Sequence, residues 1–172
     1  MEALVAVRDT LPMPAFIGAG ALRNTVWDAL HGQIPSEPAS DIDVVFFEPS
    51  DLSQARDHAW QTELLSRWPQ FTWDVTNQAG VHLWYEHYFG RRVPAARTLA
   101  EVIATWPETA TAVAVRLTDC NQLEFVAPFG LADLMTMVVR WNPKRATREE
   151  YLSRIQQKQY QRRWPRVQVL PA

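Results

Sequence analysis

The stretch Asp41-Ile42-Asp43-Val44-Val45-Phe46-Phe47-Glu48 decides how this chain is read. Its β-branched and aromatic run predicts a mostly buried strand. Two acids stand at its head, and residues i and i+2 of a strand face the same side with Cα atoms about 6–7 Å apart. Their carboxylates can therefore converge. Two such charges ~4 Å apart repel by about 1 kcal/mol in water and about 4 kcal/mol at an effective dielectric near 20. Acids facing solvent carry that cost easily, whereas a divalent cation between them reverses its sign. Hard oxygen donors suit Mg²⁺ or Mn²⁺, with water and phosphate filling the remaining positions.

Upstream, residues 2–10 have weak helical spacing that ends before Pro12 and Pro14. Ala15-Phe16-Ile17-Gly18 then reads as a short buried strand running into Gly18-Ala19-Gly20. Leu22, Val26 and Leu30 recur at helical spacing until Gly32 stops the helix. A strand passing through glycines into a helix N-terminus can hold an anion, because free backbone N–H groups point outward. Arg23 sharpens that reading, since a cation in a first helical turn is disfavoured by about 0.3–1 kcal/mol. A bound phosphate turns the penalty into a charge-assisted contact, with Asn24 beside it. A plain tight connection is the alternative meaning of such a turn. No Gly-Lys-Ser/Thr follows, and no third glycine completes a dinucleotide fingerprint.

Downstream, residues 33–40 form a loop with two prolines, and Ser50 is the expected cap of a helix over 51–68. Leu52, Ala55, Ala59, Leu64 and Leu65 make its expected inner side. Phe71–Thr76 alternates as a third strand, and Asp74 stands inside it between Trp73 and Val75. If that strand neighbours the second, Asp74 joins the acid cluster; alternation also allows Thr72, Asp74 and Thr76 a solvated face. Helices are expected over 81–89, 98–106, 131–140 and, capped by Thr147, 147–164. A hairpin turns at Asp119-Cys120-Asn121 between strands 112–117 and 122–127. This order predicts an α/β or α+β fold, a central sheet covered by helices.

The 172 residues, 47% hydrophobic and 21% charged, suit one domain, which needs neither disulfides nor a structural metal to fold. Cys120 is the only cysteine, so disulfide frameworks and cysteine-rich zinc sites are excluded. No apolar run approaches the ~20 residues of a membrane helix, and no signal peptide opens the chain; a cytoplasmic location without membrane association is expected. Charge is divided: nine basic and two acidic residues from Arg140 onward, eight basic and seventeen acidic before it. A basic tail on an acidic body can bind an anion or simply be solvated surface.

The ordered set resembles the nucleotidyltransferase superfamily of DNA polymerase β, and more closely a small bacterial nucleotidyltransferase family. The residues that carry the likeness are Phe16-Ile17-Gly18-Ala19-Gly20 with Arg23-Asn24-Thr25-Val26-Trp27-Asp28, Ser40-Asp41-Ile42-Asp43-Val44, and Asn77-Gln78 with His82-Leu83-Trp84-Tyr85. Thr105–Ala112 and Ala127-Pro128-Phe129-Gly130-Leu131 extend it over nearly the whole chain. The resemblance implies a polymerase β-like fold with a mixed sheet. It further implies Asp41 and Asp43 as metal ligands, and Asp74 as the third carboxylate that helps activate the attacking hydroxyl. Gly18 and Gly20 would flank the triphosphate, and Lys158 matches a basic position of the family. The implied cofactor is Mg²⁺ or Mn²⁺ and the donor a nucleoside triphosphate; the acceptor, whether protein, RNA or small molecule, is not implied. Ala19 departs from the usual Gly-Ser or Gly-Gly, so no hydroxyl there can help hold phosphate.

Other residues have weaker readings. The histidines lack metal-ligand spacing, and no Gly-x-Ser-x-Gly nucleophile turn exists. His82 lines a cleft or is a structural histidine; Asn77 and Gln78 hold a base or sugar, or cap the strand end. Arg154, Lys158 and Arg162 recur every four residues as one basic stripe, either solvated or in contact with phosphate or nucleic acid. Two rival functions follow: a nucleotide-binding regulatory module without transfer activity, and an RNA-binding accessory protein that uses the basic tail.

Overall fold

The structure, a computed structural model, describes residues 1–33 and 41–172. The loop expected over 33–40 thus lies, from residue 34 on, outside the described residues, as does Ser40. The elements run α1 (Glu2–Thr10), β1 (Ala15–Gly18), α2 (Ala19–Leu30), β2 (Ile42–Phe46), α3 (Gln54–Arg67), β3 (Trp73–Asn77), α4 (Val81–Phe89) and α5 (Leu99–Ile103). There follow β4 (Ala114–Leu117), β5 (Leu123–Val126), α6 (Ala132–Met135), β6 (Val138–Val139), α7 (Arg148–Lys158), α8 (Tyr160–Arg163) and β7 (Gln168–Val169).

Five strands form one mixed sheet in the order β3-β2-β1-β4-β5. β2 and β3 are parallel, which requires a crossover, and α3 supplies it. The other neighbours are antiparallel. Ile42, Val44 and Phe46 of β2 and Trp73 and Val75 of β3 point to one face, where α1 and α3 cover them with Val7, Leu11 and Leu64. The opposite face carries Asp43, Val45, Asp74 and Thr76, by the period-two alternation of a strand. A second core builds around Trp27 of α2, which meets Tyr160 and Trp164 edge-on at 5.8 and 5.3 Å.

Four expectations need correcting. The helix over 51–68 starts at Gln54, because Asp51 accepts the Ser53 N–H at 2.9 Å and holds the chain in a turn; Ser50 is not its cap. Its inner side is not the apolar set expected, since Ala55, Ala59 and Leu65 are exposed. Asp57 and Gln61 face inward instead and accept the Asn77 and Val75 N–H groups. Polar side chains of the crossover helix thereby cap the open edge of β3, which would otherwise present unpaired N–H groups. The helix expected over 131–140 is one turn, ended where Met137 adopts φ +57° and leads into β6. The last helix, which opens on a Thr147–Glu150 capping box, breaks at Gln159 (φ +45°). Among the described residues no helix is long and apolar enough to cross a membrane.

The break lets Tyr160 turn inward onto Glu108, a carboxylate with 0% exposure. Glu108 accepts from the Tyr160 hydroxyl at 2.7 Å and from Arg154 Nε at 3.0 Å, and lies 3.9 Å from the Arg23 guanidinium. Glu108→Gln keeps the shape and leaves two guanidiniums without their counter-charge. We expect it to lower stability by about 3 kcal/mol in urea unfolding. Adding Arg154→Met should recover part of that loss, and strict additivity of the two changes would refute the coupling.

Candidate active site

The parallel register places Asp43 directly beside Asp74 on neighbouring strands, both on the sheet face away from the α1/α3 core. Asp41 lies two residues before Asp43, on the same side. All three line one cleft of about 910 Å³. Both readings of Asp74 thus describe one arrangement: it is exposed, and the open face it occupies is the one shared with Asp43. Val45 and Thr76 continue the floor behind the acids.

The turn after β1 makes one wall. Gly20 donates its backbone N–H to the Asp43 carboxylate, which aims that group across the strand end. Ala19 lines the cleft with φ +49°, a left-handed conformation costing a non-glycine residue about 1 kcal/mol. Gly18 answers to packing instead. A Cβ there would sit 2.8 Å from Cη2 of Trp106, and the residue does not line the cleft.

The facing wall is α7, with Ser153, Arg154, Gln157 and Lys158. Burial, then the neighbouring Arg154 and Arg23, push the Lys158 ammonium below its ordinary value. Three cations crowded against a wall favour an anion opposite them. Arg23 is 4% exposed, held among the Trp27, Tyr160 and Trp164 rings, with one guanidinium nitrogen 2.8 Å from Asn24 Oδ1. Its Nε makes no hydrogen bond among the described residues. Arg23 lines the cleft, as the sequence suggested, but as a largely enclosed side chain set within the wall.

The structure separates several other expected site residues. Asn77 is buried and fully occupied: its amide donates to the Glu48 and Asp51 carbonyls, and its Oδ1 accepts from the Glu48 and Ala79 N–H groups. It caps the strand end and does not line the cleft. His82 lies on α4 away from the cleft. Gln78 does line it, as does Asn24. The basic stripe divides, because the break at Gln159 carries Arg162 to another surface while Arg154 and Lys158 stay in the cleft. Sequence reasoning missed Glu108 and the aromatic end of the cleft, formed by Trp84, Tyr85 and Phe89 with Arg145. The 78/81/85/89 spacing was a findable signal for that end; Glu108 lies in the Thr105–Ala112 segment that carries the family likeness, but no local pattern gave it a role.

The donor set fits a hard divalent cation. Burial, and then the Asp74 and Asp41 charges, push the Asp43 carboxyl up to about 6 despite the Gly20 hydrogen bond. A cation offsets that repulsion. Among the described residues no three acidic, histidine or cysteine side chains form a ready-made cage. Two carboxylates completed by phosphate and water are the usual Mg²⁺ arrangement.

A family model described as nucleotidyltransferase matches residues 8–169, and the chain belongs to that family. Among solved structures, one whose NMR study reveals a CCA-adding enzyme head domain superposes with TM-score 0.80 at 26% identity, over 99% of this chain and 89% of that one. The Thermotoga maritima CCA-adding enzyme complexed with tRNA_CCA matches with TM-score 0.56 at 16% identity, over 99% of this chain and 38% of its own. A tRNA-processing enzyme in an apo form gives 0.53 at 16% identity, over 98% of this chain and 42% of its own. No curated protein matches the sequence. The fold is the polymerase β-like fold, and the chain is a transferase of the nucleotidyl-transferring kind.

Asp43 also supplies a stability test. Its folded pKa, about 6, lies above the ordinary 3.8. The unfolded chain therefore gains more from ionisation, and the fold loses stability as pH rises from about 4 to 6. Asp43→Asn removes that cost. We expect it to stabilise the metal-free protein by roughly 1–3 kcal/mol above pH 6, with the gain shrinking toward pH 4. Thermal unfolding across pH 4–8 measures it; a pH-independent or negative effect would contradict the placement.

Proposed function

We propose that this protein transfers a nucleoside monophosphate from a nucleoside triphosphate to a hydroxyl acceptor, with a divalent cation. The observation that carries this reading is the pairing of Asp43 with Asp74 on the floor of a cleft whose facing wall presents Arg154 and Lys158. Asp41, Asp43 and Asp74 would hold Mg²⁺ or Mn²⁺, and Arg154 and Lys158 on the facing wall would receive the phosphates. When bound, the metal supplies Lewis-acid stabilisation of the phosphate charge.

The acceptor oxygen bonds to the α-phosphorus, the α–β phosphoanhydride bond breaks, and pyrophosphate leaves. The hydroxyl proton passes to Asp74, whose exposed carboxylate lines the cleft floor beside Asp43. Asp43, oriented by the Gly20 N–H, faces the reacting phosphate. Lys158 and Arg154 balance the charge that builds on the departing pyrophosphate. The likeness to CCA-adding enzymes, one of them in complex with tRNA, supports an RNA 3′ hydroxyl as the first acceptor to offer.

The test is transfer of labelled nucleotide, with release of pyrophosphate, to RNA and to cell extract in Mg²⁺ or Mn²⁺. We expect Asp41→Ala/Asp43→Ala to lose at least ~1,000-fold of the wild-type rate and Lys158→Ala to lose roughly 10-fold. Transfer that persists in the folded double variant defeats the proposal.

A further inference from the structure

We propose that the outer edge of β5 is a self-association surface, on which a second copy of this chain adds its own β5 antiparallel about a two-fold axis. β5 ends the sheet, and among the described residues no strand pairs with its outer side. The ladder to β4 shows which groups are left there. Thr118 donates its N–H to the Gln122 carbonyl at 2.8 Å, and bonded pairs alternate from that point through Arg116–Glu124 and Ala114–Val126. Leu123 and Phe125 therefore turn their N–H and C=O groups outward, and neither makes a backbone hydrogen bond there among the described residues. Their side chains are 48% and 46% exposed, whereas their β4 partners Leu117 and Val115 are buried.

The two edges of the sheet differ. On β3 the side chains of Gln61 and Asp57 accept the Val75 and Asn77 N–H groups. On β5 no proline or lysine interrupts the strand, and its one charged residue, Glu124, is paired with Arg116 at 2.6 Å. Soluble proteins blunt edge strands with such devices, and an edge that combines open backbone with exposed Leu and Phe calls for a strand beside it. An extended peptide of another protein fits this edge poorly, because strand addition takes its specificity from pockets for alternate side chains. Neither the cleft nor the groove beside Gln159 is lined by a β5 residue. A second copy needs no pocket, since it brings the same Leu123 and Phe125 to meet the first pair.

Charge chooses the register. A two-fold pair centred on Glu124 sets that carboxylate directly opposite its own copy, which is destabilising. Centring the pair on Phe125 instead places Phe125 opposite Phe125 of the second copy, and Glu124 opposite Val126 of the second copy. Leu123 and Phe125 of both chains then lie on one side of the joined sheet, and each Glu124 keeps its own Arg116. The joined sheet has ten strands, five from each copy. Because the acids stand on β2 and β3, the two clefts fall toward its far ends and both stay open.

Sedimentation equilibrium of the full chain tests this, with a monomer–dimer dissociation constant on the order of 10–100 µM expected for so short an edge pairing. Phe125→Lys, which sets two ammonium groups opposite each other, should weaken dimerisation at least about tenfold. Crosslinking reads the register, in a Cys120→Ser background that removes the exposed native thiol. There Phe125→Cys should give an intermolecular disulfide as two thiols lose two electrons and two protons to oxidised glutathione. Opposed Cα atoms at such a pair lie about 5.5 Å apart, within disulfide reach. Leu123→Cys should not crosslink, because the two copies of that residue stand about 13 Å apart along the strands. Thermal midpoints confirm folding, and Phe125→Cys carries the test if Phe125→Lys does not fold. A chain that stays monomeric at several hundred micromolar overturns the proposal, as does a dimer that Phe125→Lys leaves intact. Open-ended association in place of a discrete dimer, or a disulfide at residue 123 and not at 125, overturns the two-fold pairing.

Discussion

The cleft depends on one buried carboxylate. Glu108 has no exposure and gathers Tyr160, Arg154 and, at longer range, Arg23. These come from α8, α7 and α2, so a single negative charge ties the C-terminal helices to the helix that follows β1. The Arg23 guanidinium, set among Trp27, Tyr160 and Trp164, is tolerable only with a counter-charge close by. Because α7 is the wall facing the acids, Glu108 also determines how far Arg154 and Lys158 stand from Asp43.

The site is then a balance of opposed charges kept apart. Asp41, Asp43 and Asp74 repel one another on the floor, and Arg154 and Lys158 crowd one another on the wall. Each side carries like-charge repulsion that, in the proposed function, a metal and a polyphosphate would offset. Such a cost is characteristic of sites held ready by the rest of a fold. Here the rigid parts are the parallel β2–β3 pair and the cap that Asp57 and Gln61 place on its open edge.

Much of this was legible in the residues. The runs at 15–18, 42–46 and 73–77 appear as strands because short β-branched and aromatic runs bounded by turn residues have few other solutions. The hairpin at 119–121 follows from its turn chemistry, with Asn121 at φ +59°. Other elements were misjudged where tertiary contacts overrode local preference. The 131–140 run is apolar enough for a helix, but Met137 turns it into a strand that pairs with β7 near the end of the chain. Helical spacing joins Arg154, Lys158 and Arg162 into one stripe, and only the burial of Tyr160 against Glu108 explains why the helix breaks between them.

By itself the sequence determined the identities and local spacing of the chemistry: an acid pair at a strand head, a third acid in mid-strand and a glycine corner before a helix. Periodicity sets which residues share a face, and that information is local. Only the tertiary structure decided that Asp74 stands beside Asp43, that Gly18 serves packing while Gly20 orients a carboxylate, and that Arg23 is enclosed. Those outcomes depend on strand register and on a buried ion pair between residues 46 positions apart, which no local pattern encodes.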